Sequence, residues 1–128
     1  MYRILLLVLG GAIGTVARYL ISGIAQKHIG SEFPWGTLVV NVAGAFIIGL
    51  VWGLFETMDV RSGLRIFIFI GILGGFTTFS SFALETMNLY KQGEIKMAMF
   101  NILANNILAI ILVFVGFIAA KALLGVLK

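Results

Sequence analysis

Four stretches of the chain, residues 4–24, 36–55, 64–90 and 97–120, are almost unbroken runs of apolar residues. The hydrocarbon core of a bilayer takes about 20 residues of helix to cross. The pattern therefore predicts an all-α membrane protein with four transmembrane helices. The runs are continuously apolar and lack the alternation of barrel strands, so helix is preferred to a β-barrel. The gaps between them are short: residues 26–35 carry Lys27, His28, Glu32 and Pro34, residues 56–63 carry Asp59 and Arg61, and residues 91–96 close the third. None can hold a soluble domain. Residues 1–128 read as a single transmembrane four-helix domain, with function confined to the bundle.

Composition agrees. Only 11% of residues are charged and 61% are hydrophobic, whereas a soluble domain carries roughly a quarter charged residues. A disordered chain would need few apolar residues and many charges. The absence of cysteine excludes disulfide scaffolds, thiolate zinc sites and thiol nucleophiles. The single histidine, His28, cannot build a metal cage alone. A net charge of +4, spread thinly between apolar runs, reads as membrane-flanking charge and not as a nucleic-acid surface. Arg3 ahead of the first run resembles a secretory signal, but cleavage there would release another membrane protein, so the run is read as a span.

Positive residues gather on the cytoplasmic side of membrane helices. Four spans put Arg3, Arg61, Arg65, Lys121 and Lys128 on one side and Lys27, Lys91 and Lys96 on the other. That bias is small and leaves two readings open, a single orientation with both termini inside and insertion in both orientations, the second of which would allow a head-to-tail pair about a twofold axis in the membrane plane. Glycines four apart, Gly10 with Gly14, Gly49 with Gly53 and Gly71 with Gly75, lay smooth strips along helix faces that suit close approach.

Polar groups in a bilayer are costly unless paired or facing a cavity, so they mark candidate sites. Arg18 either snorkels to an interface or draws anions into a vestibule. Asn41 follows Thr37 by one helical turn and shares its face; it either ties helices together or offers its two amide donors to a ligand. The third run carries Gly71-Ile-Leu-Gly-Gly-Phe-Thr-Thr-Phe-Ser-Ser-Phe82. Adjacent glycines and hydroxyl residues weaken a helix, which predicts a break in mid-membrane. Freed carbonyls there suit a monovalent cation such as Na⁺, and the lack of a carboxylate argues against Mg²⁺ or Ca²⁺. Beyond it Phe79 and Phe82 share a face, with Ser81 between them and Glu85 one turn on. Aromatic rings carry positive edges, which solvate an anion without holding it as a fixed cation would; packing is the alternative use. Asn101 and Asn105 share a face of the fourth run, beside Asn106, and either bond between helices or line a polar track.

Three blocks together resemble the Fluc (CrcB) family of bacterial and archaeal fluoride channels: Gly10-Gly-Ala-Ile-Gly-Thr-Val-Ala-Arg18-Tyr19, Gly36-Thr-Leu-Val-Val-Asn41-Val-Ala-Gly44-Ala-Phe46, and Gly71 through Phe82. The third is the specific one. The resemblance covers the chain in length and span count. It implies an antiparallel, dual-topology homodimer of four-helix subunits in the cell (inner or plasma) membrane, with two fluoride pathways and a structural Na⁺ at the dimer centre. It implies carbonyls of Gly74 and Thr77 as sodium ligands, Phe79 and Phe82 as pore aromatics, Asn41 as the pore amide, and Ser81 and Glu85 as a polar track. In the fourth helix Asn101 stands where many members have tyrosine and Ala109 where many have serine; Asn101 and Asn105 are expected to substitute amide donors.

The implied activity is passive, selective export of cytoplasmic fluoride, not an enzymatic reaction. No phosphate-binding glycine loop of the Walker form is present to suggest a pump. A proton-coupled multidrug exporter of similar size would need an acidic residue in the first span, and this span has none. A non-conducting assembly subunit is the other alternative, in which the polar residues serve helix packing alone.

Overall fold

A computed structural model describes residues 1–126; Lys128, counted above among the flanking charges, lies outside the described residues. Two uninterrupted helices open the chain, α1 (Tyr2–Ile29) and α2 (Trp35–Phe55). The third span starts with α3, residues 62–76, an α-turn Ser62–Arg65 that widens to π geometry over Ile66–Leu73 and closes as Gly74–Phe76. Thr77 and Thr78 are extended, with φ −83°, ψ 157° and φ −149°, ψ 117°. Helix resumes as α4 (Phe79–Lys91). The fourth span, α5 (residues 95–126), also contains a π segment, Ala104–Leu108. Four helical stretches, Tyr2–Ile29, Trp35–Phe55, Ser62–Lys91 and Ile95–Gly125, are long and apolar enough to cross a membrane. Each extends a little past the run predicted for it, because helical hydrogen bonding continues into the polar flanks.

Burial is uneven. Large apolar side chains stand exposed along α1 and α5, among them Leu5, Leu9, Ile13, Ile110, Phe114 and Ile118. On a soluble protein such a surface would aggregate; in lipid it is the solvent-facing side. The interior combines small residues at the helix contacts with buried Val40, Leu73, Phe76, Phe82 and Leu89. α1 packs on the π segment of α3, and α2 packs most extensively on the C-terminal part of α5.

Glycine makes both contacts possible. A Cβ on Gly10 would stand 2.7 Å from the Phe67 carbonyl oxygen and one on Gly75 2.9 Å from that of Gly11. Cβ atoms on Gly14, Gly49 and Gly116 would overlap the carbonyl oxygens of Ile72, Val113 and Phe46. The obstructing atoms are backbone and cannot swing aside. Hydrocarbon supplies no hydrophobic force between helices, so dispersion at close range and hydrogen bonds hold the bundle.

The helix ends are tied by polar contacts. Gln26 Nε2 donates to the carbonyls of Gly30 (2.6 Å) and Phe33 (2.8 Å), and its Oε1 accepts from Gly36 N (3.0 Å), fixing the α1–α2 turn. At the opposite end Lys121 Nζ pairs with Glu56 Oε2 at 2.7 Å and lies over the Phe117 ring. The hydrogen bond from Lys121 holds the Glu56 carboxyl below its ordinary range. Both side chains are about two-fifths exposed, so solvent screens the pair. Arg65 donates to the Phe55 carbonyl at 2.9 Å and covers that ring.

Gly49→Ala is expected to destabilise the bundle by about 1–3 kcal/mol, as overpacking does. Gly23→Ala, where an added Cβ meets nothing within 4 Å, is expected to leave stability equal or raise it by up to about 1 kcal/mol through helix propensity. Thermal unfolding in detergent separates the two.

Candidate anion pathway

Of the polar residues singled out in the sequence, Arg18, Asn41 and Ser81 meet the extended pair Thr77–Thr78 directly and Asn105 joins through Asn41. Asn41, on α2, meets Thr78 with both ends of its carboxamide: Nδ2 donates to the Thr78 carbonyl (2.9 Å) and Oδ1 accepts from the Thr78 N–H (2.8 Å). The second Nδ2 hydrogen goes to Asn105 Oδ1 at 2.9 Å. Thr78 also caps α4, its Oγ1 accepting from Ser81 N at 3.1 Å. Such a cap satisfies one of the donors left over at a helix start. On the other side of the pair, Arg18 Nη1 donates to the Thr77 carbonyl at 3.3 Å. Gly44 lets α2 approach, since a Cβ there would overlap the Thr77 methyl group.

Three concavities adjoin these residues. The first, of about 380 Å³, is lined by Asn41, Thr78, Phe79, Phe82 and Asn105 and is largely apolar. Phe79 and Phe82 meet edge to face with ring centroids 5.1 Å apart. Phe79 is 74% exposed and Phe82 only 6%, so one ring stands at the protomer surface and the other backs it. The second, about 290 Å³, shares Thr78 with the first and is lined by Arg18, Thr37, Ser81 and Glu85. The third, about 350 Å³, shares Glu85 with the second and is lined by Gln26, Glu32, Asn88 and Gln92 near the α1–α2 turn. Thr37 Oγ1 donates to Glu85 Oε1 at 2.6 Å, while Oε2 is buried without a protein partner.

Asn101 and Asn105 stand apart from this lining in one respect. Asn101 is fully buried and Asn105 is 6% exposed. Asn105 Nδ2 donates to Asn101 Oδ1 (2.8 Å) and to the Asn101 carbonyl (3.0 Å), and Asn101 Nδ2 donates to Thr86 Oγ1 (2.9 Å). Their amides are engaged within the bundle. Asn106 turns outward and bonds only back to the Ile102 carbonyl. Among the described residues no three His, Asp or Glu side chains converge as a metal site.

Sequence reasoning missed Thr86, Gln26 and the cavity-lining Thr15 and Ser22. Thr86 carried a usable signal: a hydroxyl in an apolar run, four residues after Phe82, where it bonds back to that carbonyl at 2.8 Å.

Comparison with known proteins bears on this arrangement. The sequence profile of CrcB-like protein, Camphor Resistance (CrcB), matches residues 5–117. The chain belongs to the CrcB family. A CrcB relative from Parabacteroides distasonis, named fluoride-specific ion channel FluC, is 47% identical over 128 residues, covering the whole of both chains. Proteins of the same name from Opitutus terrae and Pyrococcus abyssi are 45% and 47% identical, covering 93% and 91% of this chain and 92% and 94% of their own. With its four apolar helices, this CrcB chain is a multi-pass membrane protein.

Asn41→Leu removes the clamp and orphans the N–H of Thr78, whose carbonyl keeps only the first helical bond of α4. Each buried unsatisfied group costs about 1–3 kcal/mol, so thermal unfolding in detergent is expected to fall well below that of the parent, and further than for Asn106→Leu.

Proposed function

We propose that the chain is a fluoride-selective channel that lets cytoplasmic F⁻ leave the cell passively. The observation that carries this reading is the 47% identity, over the full length of both chains, to a protein named for that activity. The chemistry of the three concavities supports it. The first offers neutral donors and aromatic edges, the second sets one cation, Arg18, in the same lining as Glu85, and the third adds Glu32 and the amides of Gln26, Asn88 and Gln92. Fluoride holds its water tightly, so a path must replace that water with donors. Fixed positive charges in series would bind the ion too firmly for release, because conduction needs sites that are favourable but weak.

The driving force lies outside the protein. Fluoride enters acid-exposed cells as HF, ionises at near-neutral cytoplasmic pH and is trapped as the anion. An interior-negative potential drives a single negative charge outward by about 2.3 kcal/mol per 100 mV. A selective hole therefore suffices for export.

In this reading the working unit is an antiparallel, dual-topology homodimer, with the third helix broken at Thr77–Thr78 in mid-membrane. The partner copy covers the groove beside the exposed Phe79 ring and completes each of two pathways. Arg18 sits in the vestibule; Ser81 and Glu85 form the polar track, and Phe79, Phe82 and Asn41 line the narrow part. At the dimer centre the carbonyls of Gly74 and Thr77 from each copy would hold a structural Na⁺. The donor set fits such an ion: it is neutral oxygen only. Thr78 N–H is given to Asn41, which frees the Gly74 carbonyl from the donor it would have in a continuous helix. The Thr77 carbonyl accepts one long bond from Arg18. Such an ion would supply positive charge between the two copies.

Purified protein in liposomes loaded with fluoride is expected to release it, and vesicles that hold fluoride as tightly as protein-free ones sink the reading. Phe79→Ile or Phe82→Ile is expected to slow efflux by about tenfold or more, the loss of about 1.4 kcal/mol or more of transition-state stabilisation, while the dimer persists on size-exclusion chromatography. Undiminished efflux removes the ring edges from the pathway.

A further inference from the structure

Behind the pathway runs a chain of hydrogen bonds in which every side chain donates to the next. Asn41 Nδ2 donates to Asn105 Oδ1, Asn105 Nδ2 to Asn101 Oδ1, Asn101 Nδ2 to Thr86 Oγ1, and Thr86 Oγ1 to the Phe82 carbonyl. The links measure 2.9, 2.8, 2.9 and 2.8 Å in that order. The chain leaves α2, crosses α5 and returns to α4, eight residues along the third span from the Thr78 clamp at which it starts.

Its polarity is dictated at both ends. The Thr78 N–H can only donate, so Asn41 must turn Oδ1 toward it, which leaves Nδ2 to give one hydrogen to the Thr78 carbonyl and the other to Asn105. Asn105 must then present its oxygen to Asn41 and its nitrogen to Asn101, and Asn101 repeats the pattern. The Phe82 carbonyl can only accept, so the Thr86 hydroxyl gives its hydrogen there and receives from Asn101. No amide can turn over without leaving one neighbour with two facing donors or two facing acceptors. Hydrogen bonds aligned head to tail polarise and strengthen one another.

We infer that Asn105, Asn101 and Thr86 are positioning residues of the channel: the relay fixes the carboxamide of Asn41 against Thr78 and ties it to the backbone of Phe82, so that the extended pair and the aromatic pair keep one register. Asn101 and Asn105 thus act through Asn41: Asn105 borders the first concavity, but its amide nitrogen donates to Asn101, and neither residue serves as a donor to the ion. The inference rests on the fluoride-channel reading for its consequence, though not for the relay itself.

Thr86→Val keeps the shape of the side chain and removes both its links. It is expected to slow fluoride efflux from liposomes by about tenfold, the scale of one lost hydrogen bond, whereas Thr86→Ser, which keeps the hydroxyl, stays within about twofold. Asn101→Leu cuts the same chain at another link and is expected to reproduce the loss. The double variant Thr86→Val with Asn105→Leu is expected to be no slower than the slower single variant, as for residues acting as one unit. A readout that needs no fluoride accompanies these: hydrogen exchange of the Thr78 amide, expected to quicken by about tenfold in Thr86→Val and Asn101→Leu. Thr78 protection equal to that of the parent in both variants overturns the relay, and so do losses that multiply in the double variant. Faster exchange with unaltered efflux removes the positioning role. Parent vesicles that pass no fluoride defeat the channel reading instead, and the exchange measurement still decides the relay.

Discussion

The two-bond clamp between the Asn41 carboxamide and the backbone of Thr78 carries the rest of the site. In hydrocarbon no water stands ready to satisfy a backbone group that leaves its helix, so an extended residue in a membrane span persists only where protein supplies partners. A side-chain amide is the group that matches a peptide unit on both counts, one donor and one acceptor held in a plane. Asn41 is placed to do this by its position on the inner face of α2, one turn from Thr37. Arg18 and the Thr78 hydroxyl take up what the amide leaves, at the Thr77 carbonyl and at Ser81 N.

Close helix packing is what brings these groups within reach. The carbonyl oxygens of Phe67 and Ile72 press on Gly10 and Gly14, and those of Val113 and Phe46 press on Gly49 and Gly116. A methyl group at any of these would push α1 from α3, or α2 from α5. A shift of half an ångström at the α2–α5 contact would lengthen the Asn41–Asn105 bond beyond useful range, since hydrogen bonds weaken steeply outside about 2.7–3.2 Å. Glycine strips and polar clamp are thus one device: the first sets the distance at which the second operates.

The charges are distributed by the same logic. At one end of the bundle Lys121 and Glu56 tie α5 to the end of α2 and Arg65 ties α3 to it, the two cations covering the rings of Phe117 and Phe55. Inside the spans the polar side chains are neutral, with Arg18 and Glu85 as the exceptions, and those two line one cavity without forming an ion pair among the described residues.

The sequence by itself determined the class of fold. Four runs of membrane-crossing length leave a chain no choice but helix, because each span must satisfy its own backbone, and each run it marked lies within a helix long and apolar enough to cross a membrane. It also marked most of the residues around the site, since an asparagine, a serine or a threonine in an apolar run is conspicuous, and the Gly-Gly-Phe-Thr-Thr stretch announced the family. What the tertiary structure alone decided is which partner each polar group takes. Asn41 and Asn105 lie 64 residues apart and Thr37 and Glu85 48 apart, separations across which no helical periodicity fixes a register. Thr86 gained its place in the relay only because α5 lies against α4. Hydrogen bonds are directional and reach about 3 Å, so small rotations of a helix decide them; hydrophobicity has no direction, and for that reason it could be read from composition along the chain.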